Sequence, residues 1–501
     1  MSCKFVVVHN FQYRKPLILL NVINLRNRLH FIKNVIDSFS IEKFFCILKA
    51  VTRQLFILRQ VINMKMSQKR ARYDISYIHQ ESFVAFCKNN HPSYFSRKRK
   101  MPLDDLLFTM MNRRGITLSL QLRNYMNLAH PGMEISKPGY LKQRMKLNPE
   151  AFRELYRFHN KNLYAESGFS TFHGHLVLAA DGSDINIPTT KETLERYGSA
   201  SRKNTKPQAQ IGLGCIYDVL NRMILESDCN RVKFDEMRLA EQQLERIPET
   251  IGEKQPFLVV MDRGYSSTPS FIHMTDKGIR FLVRLKSSDY KKEQQSLKEA
   301  DSIINIKLDK SRIRHYEGTI DGERMKELGE ISLRMVKVEL ENGTIEVLAT
   351  NLPEEFTTDE IKELYHLRWG IETAYETLKS RLQIENFTGT KAILLEQDIY
   401  STIYVSNLAE DIIRDAEAEL DGEEKGKKHR MAINQTISIG ILKNDLIYIL
   451  LEKDAQKQDR LFERIYEDIS KNLVPIRPER HYKRTKGQLA GKYSNTHKRA
   501  Y

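Results

Sequence analysis

The sequence runs to 501 residues, with 80 Lys and Arg against 64 Asp and Glu, a formal net charge of +16 and 41% apolar residues. That apolar share excludes global disorder and the length implies two to four domains, while the basic excess is a footprint for a polyanion such as nucleic acid, or simply a basic enzyme. The five cysteines, Cys3, Cys46, Cys87, Cys215 and Cys229, form no Cys-x-x-Cys pair, and no apolar run approaches the ~18 residues of a membrane span, so a zinc ribbon of that spacing and a membrane-spanning helix are both excluded.

Residues 1–65 form a basic, apolar segment whose only acids are Asp37 and Glu42. It has the composition of a targeting segment but is too long and lacks a cleavage site. Met64 and Met66 stand just ahead of a more ordinary start, so the first 63 residues are expected to be over-extended translation. Peptides from before Met64 in the native protein, sought by mass spectrometry, would contradict this.

Residues 66–170 are predicted to be a helical DNA-binding domain. Leu103, Leu106, Leu107, Met110 and Met111 recur at helical spacing, and Ser119–Met126 continues the pattern. Four cations crowd Ser136–Leu147, which with the preceding helix fits either a helix-turn-helix reader or a solvated helix face.

From 171 the pattern changes to an α/β core, with its first part at 171–286. Leu176–Ala180 and Phe257–Met261 are predicted buried strands. Ala209–Tyr217 and Met223–Ser227 are expected antiparallel neighbours, Phe234–Arg246 and Phe271–Lys277 helices, and Arg280–Leu285 a further strand. A β-rich insertion is expected at 287–344. The core resumes over 345–390 with a strand at Ile345–Ala349 and one long helix at Thr358–Leu382. A helical region at 391–474 and a basic tail at 475–501 follow.

Two features carry chemistry. Each predicted buried strand ends in an aspartate with a glycine close behind, Asp181-Gly182 and Asp262-Arg263-Gly264. Carboxylates beyond adjacent strand ends suit hard divalent cations, although each alone could simply cap a turn. In the last helix, Tyr365, Arg368, Glu372 and Lys379 fall within an arc of roughly 60° at ~100° per residue. Leu364, Leu367, Ile371, Ala374, Leu378 and Leu382 form the adjoining apolar stripe. The helix thus presents a carboxylate flanked by groups that grip phosphate. Trp369, the only tryptophan, is expected to pack in the core, with stacking on a base as the alternative.

The pattern Tyr365-x2-Arg368-x3-Glu372-x6-Lys379, preceded by Asp181-Gly182 and by Asp262-Arg263-Gly264-Tyr265, resembles the insertion-sequence DDE transposases of the IS-four group, over roughly residues 80–501. Phe281–Lys286 matches a similar strand of that family, and the basic tail fits its style.

The resemblance implies an RNase H-like catalytic core with a β-rich insertion before the last catalytic helix, flanked by helical N- and C-terminal regions. It implies Asp181, Asp262 and Glu372 as catalytic metal ligands for two Mg²⁺ ions, with Mn²⁺ able to substitute. Tyr365, Arg368 and Lys379 would bind DNA near the cleaved end, joined by Arg263 and Tyr265; Asp184 and Glu376 are nearby carboxylates outside the pattern. The implied partners are double-stranded DNA, as terminal inverted repeats and target, and a second copy in a dimeric synaptic complex, with no membrane. The implied place of action is the bacterial cytoplasm, on the nucleoid. A metal-dependent nuclease on the same fold and a degenerate DNA-binding derivative remain the alternatives.

Overall fold

A computed structural model describes residues 64–97, 99–200, 206–339, 343–420 and 429–477. The chain divides into two units at Lys65/Met66, and every element below belongs to the second. The segment before Met64, the loop at 421–428 and the basic tail from 478 lie outside the described residues.

The first elements are helices: α1 (Met66–Ile78), α2 (Glu81–Cys87), α3 (Leu103–Met111), α4 (Leu118–Ala129), α5 (Lys137–Arg144) and α6 (Ala151–Tyr164). α3 is buried on all sides except at Asp104, as its nearly continuous apolar composition requires. Ser136 caps α5 by accepting from the Gly139 N–H, with Pro138 in the first turn. Residues 130–136 join α4 to α5, longer than the ~3–4-residue turn of a helix-turn-helix. The segment with four cations is therefore a short helix on a loop and not that motif.

A nine-stranded mixed sheet follows. β1 (Leu176–Asn186) leads to α7 (Lys191–Tyr197), β2 (Ser199–Ala200), β3 (Gln208–Asp218), β4 (Met223–Arg231), α8 (Glu236–Ile251) and β5 (Phe257–Met261). Then come α9 (Thr268–Asp276), β6 (Arg280–Arg284), β7 (Asp301–Lys307), α10 (Ile320–Leu328), β8 (Glu330–Glu339) and β9 (Ile345–Thr350). The order is β3-β1-β5-β6-β9-β8-β7, with β4 and β2 both on the outer side of β3. β1, β5 and β6 are parallel and the remaining pairs antiparallel. Of the two expected antiparallel neighbours, β3 pairs with β1 directly and β4 pairs with β3. β7 and β8 continue the central sheet through β9 rather than forming a sheet of their own. α8 runs on through Pro248 and stops at Gly252, whose φ of +92° suits glycine.

The period of two along each strand builds two cores. Leu176, Leu178, Ala180, Val259 and Met261 face α8 and α9, through Leu244, Ile247, Phe271 and Met274. Val177, Ala179, Leu258 and Val260 face the opposite layer. That layer holds α11 (Thr358–Leu367), α12 (Trp369–Glu376) and the long α13 (Ala392–Leu420), followed by α14 (Gln435–Leu451) and α15 (Ala455–Lys471). The expected single helix over 358–382 is tightened at Arg368 by i→i+3 bonds (Arg368 N–H to Tyr365 O, Ile371 N–H to Arg368 O). It widens at Thr377–Arg381, where the Leu382 N–H reaches Thr377 O.

α13 fastens the N-terminal helices through buried ion pairs. Asp411 takes Arg70 of α1 in a fork at 2.6 and 2.8 Å, and Asp398 takes Arg144 of α5 at 2.9 Å and Arg113 at 3.1 Å. Fully buried His159 of α6 lies 2.7 Å from Asp74 and 3.4 Å from Asp411. Burial alone would push this imidazole down, but the two carboxylates outweigh it and raise its pKa to about 9. Its folded value lies above its unfolded one, so the stabilisation is complete below pH ~6.5 and is lost as pH rises through about 9. The melting temperature should therefore fall between pH 6.5 and 9.5 more steeply in wild type than in His159→Gln. Parallel melting curves over that range would contradict this.

Among the described residues, no helix is long and apolar enough to cross a membrane.

Candidate active site

The strand register brings the two aspartates together. Parallel pairing of β1 with β5 ends at Ala180↔Met261, so Asp181 and Asp262 come next at the same level on adjacent strands. Parallel neighbours lie ~4.8 Å apart. β1 itself continues past Asp181 to Asn186 because β3 still pairs with it, Asp181 facing Cys215. Asp181 Oδ1 accepts from the Gly182 N–H at 2.9 Å. Asp262 Oδ1 accepts from the Gly264 N–H at 2.6 Å and caps a single turn at Arg263–Tyr265.

The pocket is electrostatically crowded. Burial raises the Asp181 carboxyl to about 6. The Gly182 N–H and Arg368 oppose this, while the negative charges of Asp262 and Glu236 reinforce it. Glu236, first residue of α8, leans directly over Gly182: a Cβ at position 182 would lie 2.9 Å from its carboxyl carbon. A side chain at position 182 would push the Glu236 carboxylate aside. The Glu236 carboxyl is itself raised by burial and by Asp262 and Asp184.

The helical layer delivers the other groups. Tyr375 of α12 donates its O–H to the carbonyls of Asp181 (2.9 Å) and Leu213 (3.0 Å), pinning the helix against β1 and β3. Lys379 Nζ donates to Ser183 Oγ at 2.7 Å and Asp184 O at 2.9 Å, and burial lowers its pKa. Arg368 donates to Glu372 at 2.7 Å while lying within electrostatic reach of Asp181. Tyr365 is half-buried, its pKa raised by burial, with the Arg284 and Arg368 charges nearby.

The structure thus joins Asp181 to Asp262 and sets Tyr365, Arg368, Glu372 and Lys379 along the helical segment packed on β1. Among the described residues, no three His, Cys, Asp or Glu side chains converge closely enough to hold a metal ion. Arg263 is exposed, whereas Tyr265 is 3% exposed and packed in the core, so of that pair only Arg263 reaches the surface. Asp184 and Glu376 are exposed. Trp369 is 44% exposed, with Arg368 5.9 Å from its ring, and so is not the core residue expected.

Sequence reasoning missed three residues. Glu236 carried no signal, since nothing in the sequence says that α8 starts over Gly182. Arg284 had one: Met261↔Val283 puts it level with Asp262 on the third parallel strand, at the end of Phe281–Arg284. It is held there by Glu346. Tyr375 lies between two site residues of one helix. Tyr375→Phe leaves buried carbonyls short of a donor and should cost ~1–3 kcal/mol, read from urea unfolding; an unchanged midpoint would contradict the anchoring role.

Residues 172–408, which contain Asp181, Asp262 and Glu372, match the family model described as a transposase DDE domain. The chain is 22% identical over 327 residues to the transposase InsG for insertion sequence element IS4 of Escherichia coli (strain K12), covering 62% of this chain and 70% of that protein. It is 24% identical over 229 residues to the transposase for insertion sequence element IS421 of Escherichia coli, covering 38% of this chain and 61% of that one. Among solved structures it is similar to the piggyBac transposase of a synaptic complex with hairpin DNA, at a TM-score of 0.42 and 9% identity over 79% of this chain and 84% of that one. The chain carries a transposase DDE domain and is similar to transposases of the IS4 group; it is a transposase, an enzyme that cleaves DNA and transfers the cut strand.

Proposed function

We propose that this transposase moves its element by a cut-and-paste route, cleaving at the terminal inverted repeats and joining the freed ends to target DNA, on an RNase H-like core with Asp181, Asp262 and Glu372 as metal ligands. The observation that carries this reading is the placement of Asp181 and Asp262 side by side where the parallel pairing of β1 and β5 ends. The RNase H-like assignment is supported by the strand order β4-β3-β1-β5-β6, with β1, β5 and β6 parallel and β3 and β4 antiparallel.

The donor set suits Mg²⁺: hard carboxylate oxygens whose crowded negative charge a cation would relieve. Mn²⁺, which takes the same oxygen ligands, would substitute. Two bound ions would activate the attacking hydroxyl and stabilise the leaving oxygen of an in-line displacement. The chain's own residues do the rest. Lys379, Arg263 and Arg284 would hold phosphates beside the carboxylates, with the Tyr365 hydroxyl as a further donor. Arg368 would exchange Glu372 for a DNA phosphate, which frees the Glu372 carboxylate to turn toward the aspartate pair.

In the first reaction water attacks the phosphodiester at the element end, forming a P–O bond and releasing a 3′-hydroxyl. In the second that 3′-hydroxyl attacks a target phosphodiester and expels the target's own 3′-oxygen, so no covalent enzyme intermediate arises. End recognition is assigned to residues 66–170. The catalytic core is divided between 171–286 and 345–390 around the insertion at 287–344, followed by the helical region 391–474 and the basic tail. Two copies would pair the ends in a dimeric synaptic complex, in the cytoplasm on the nucleoid.

The test is incubation of a duplex carrying the element's own terminal repeat with Mg²⁺, Mn²⁺ or EDTA. Cleavage at the repeat end in either metal, none in EDTA, and joining of the cut strand to a target plasmid are expected. Cleavage without joining would support a nuclease, and binding without cleavage a degenerate derivative.

A further inference from the structure

Away from the carboxylates, Tyr94, Arg99–Met101 and side chains between Met133 and Lys146 line a groove of about 1300 Å³. Its lining carries Arg99, Lys100, Lys142 and Lys146 against a single acid, Glu134. Arg99, Lys100 and Lys142 are exposed. The Lys146 ammonium sits 5.9 Å over the Tyr94 ring, which stacks on His91 at 4.1 Å, so this cation is held at the wall. The apolar part of the lining is Met101, Met133, Ile135 and Met145. The wall formed by α5 is rigid, because Arg144 is buried against Asp398 and the Leu394 carbonyl.

A lining of four cations and apolar side chains matches a sugar–phosphate strand, charged outside and carbon-rich between its phosphates. The groove is poorly equipped to read bases. Its one amide side chain, Gln143, is engaged by Lys146 at 3.0 Å, and lysine binds phosphate as a point charge. α5 lacks the short turn that would seat it as a recognition helix.

We propose that this groove grips the sugar–phosphate backbone of one strand of duplex DNA irrespective of sequence, as a second DNA surface separate from the cutting site. The inference rests on the transposase reading only for which duplex is held.

The test uses the full chain and fluorescence anisotropy between 50 and 200 mM salt. One duplex carries the terminal repeat and the other is its scrambled counterpart. Removing four phosphate contacts with R99Q/K100Q/K142Q/K146Q should lower the slope of log affinity against log salt by ~3.6, at ~0.9 per contact. The pair K142Q/K146Q, which disturbs less of the surface, should lower it by ~2. Both losses should be equal on the two duplexes, with the urea midpoint unchanged. An unchanged slope for both variants, or a loss confined to the terminal repeat, would overturn the proposal. Asp262→Asn should keep the wild-type slope. If wild type fails to cut while the groove variants still lose slope, the cutting reading fails and the groove stands.

Discussion

Asp262→Asn is expected to bind the element-end duplex as wild type does and to cut it at least ~100-fold more slowly, because loss of even an outer-shell partner of a metal ligand costs ~10–100-fold. The reason is local. Asp262 follows the last residue of β5 and is fixed by the Gly264 N–H at 2.6 Å, so an amide would occupy the same place with the same backbone contact. What changes is charge and donor hardness: a neutral amide is a poor replacement for one of two adjacent carboxylates facing a hard cation. Fold and DNA grip should survive, since Asp262 makes no long-range ion pair among the contacts described. The measurement is a single-turnover cleavage rate beside a binding isotherm, and equal loss of both would contradict the role.

Asp398→Ala should be the most destabilising single change in the helical layer. Asp398 and Arg144 are both fully buried at 2.9 Å, with Arg113 adding a second cation at 3.1 Å. Burial would raise this carboxyl, but the two guanidinium groups outweigh it and hold it low. Removing the acid strands a buried Arg144, at a cost of ~3–5 kcal/mol. That is a large share of the ~5–15 kcal/mol that separates most folded domains from their unfolded state. The double change Arg144→Met with Asp398→Leu should recover most of the loss, because a buried pair is often replaceable by packed apolar side chains. Urea unfolding of the three proteins decides it; a single variant within ~0.5 kcal/mol of wild type, the scale of neutral surface changes, would contradict the assignment. Because α5 also forms a wall of the basic groove, the single variant should lose DNA affinity as well.

Much of the catalytic half was legible because its signals are local and periodic. Leu176–Ala180 and Phe257–Met261 are continuous apolar runs, as strands covered on both faces must be, and their ends locate Asp181 and Asp262. The spacing of Tyr365, Arg368, Glu372 and Lys379 set them along one helical segment. Its subdivision was not legible, since the tightening at Arg368 and the widening at Thr377–Arg381 are settled by packing on β1 and not by residue type. Where tertiary contact decides, the sequence was silent. Glu236 reaches the site through the close approach that Gly182 allows, and Trp369 is exposed because α12 turns Ile371 and Tyr375 inward instead. Tyr265 was placed beside Asp262 by its neighbours in sequence, but the single turn after β5 carries its ring into the core.

The most direct test of metal-dependent cutting by the carboxylate pair is Asp262→Cys assayed at the element end in Mg²⁺ and in Mn²⁺. A thiolate is a poor ligand for Mg²⁺ and a better one for Mn²⁺. The account predicts no cleavage in Mg²⁺ and recovered cleavage in Mn²⁺, with Asp262→Asn inactive in both. Cleavage by Asp262→Cys at the wild-type rate in Mg²⁺, or cleavage that persists in EDTA, would contradict it.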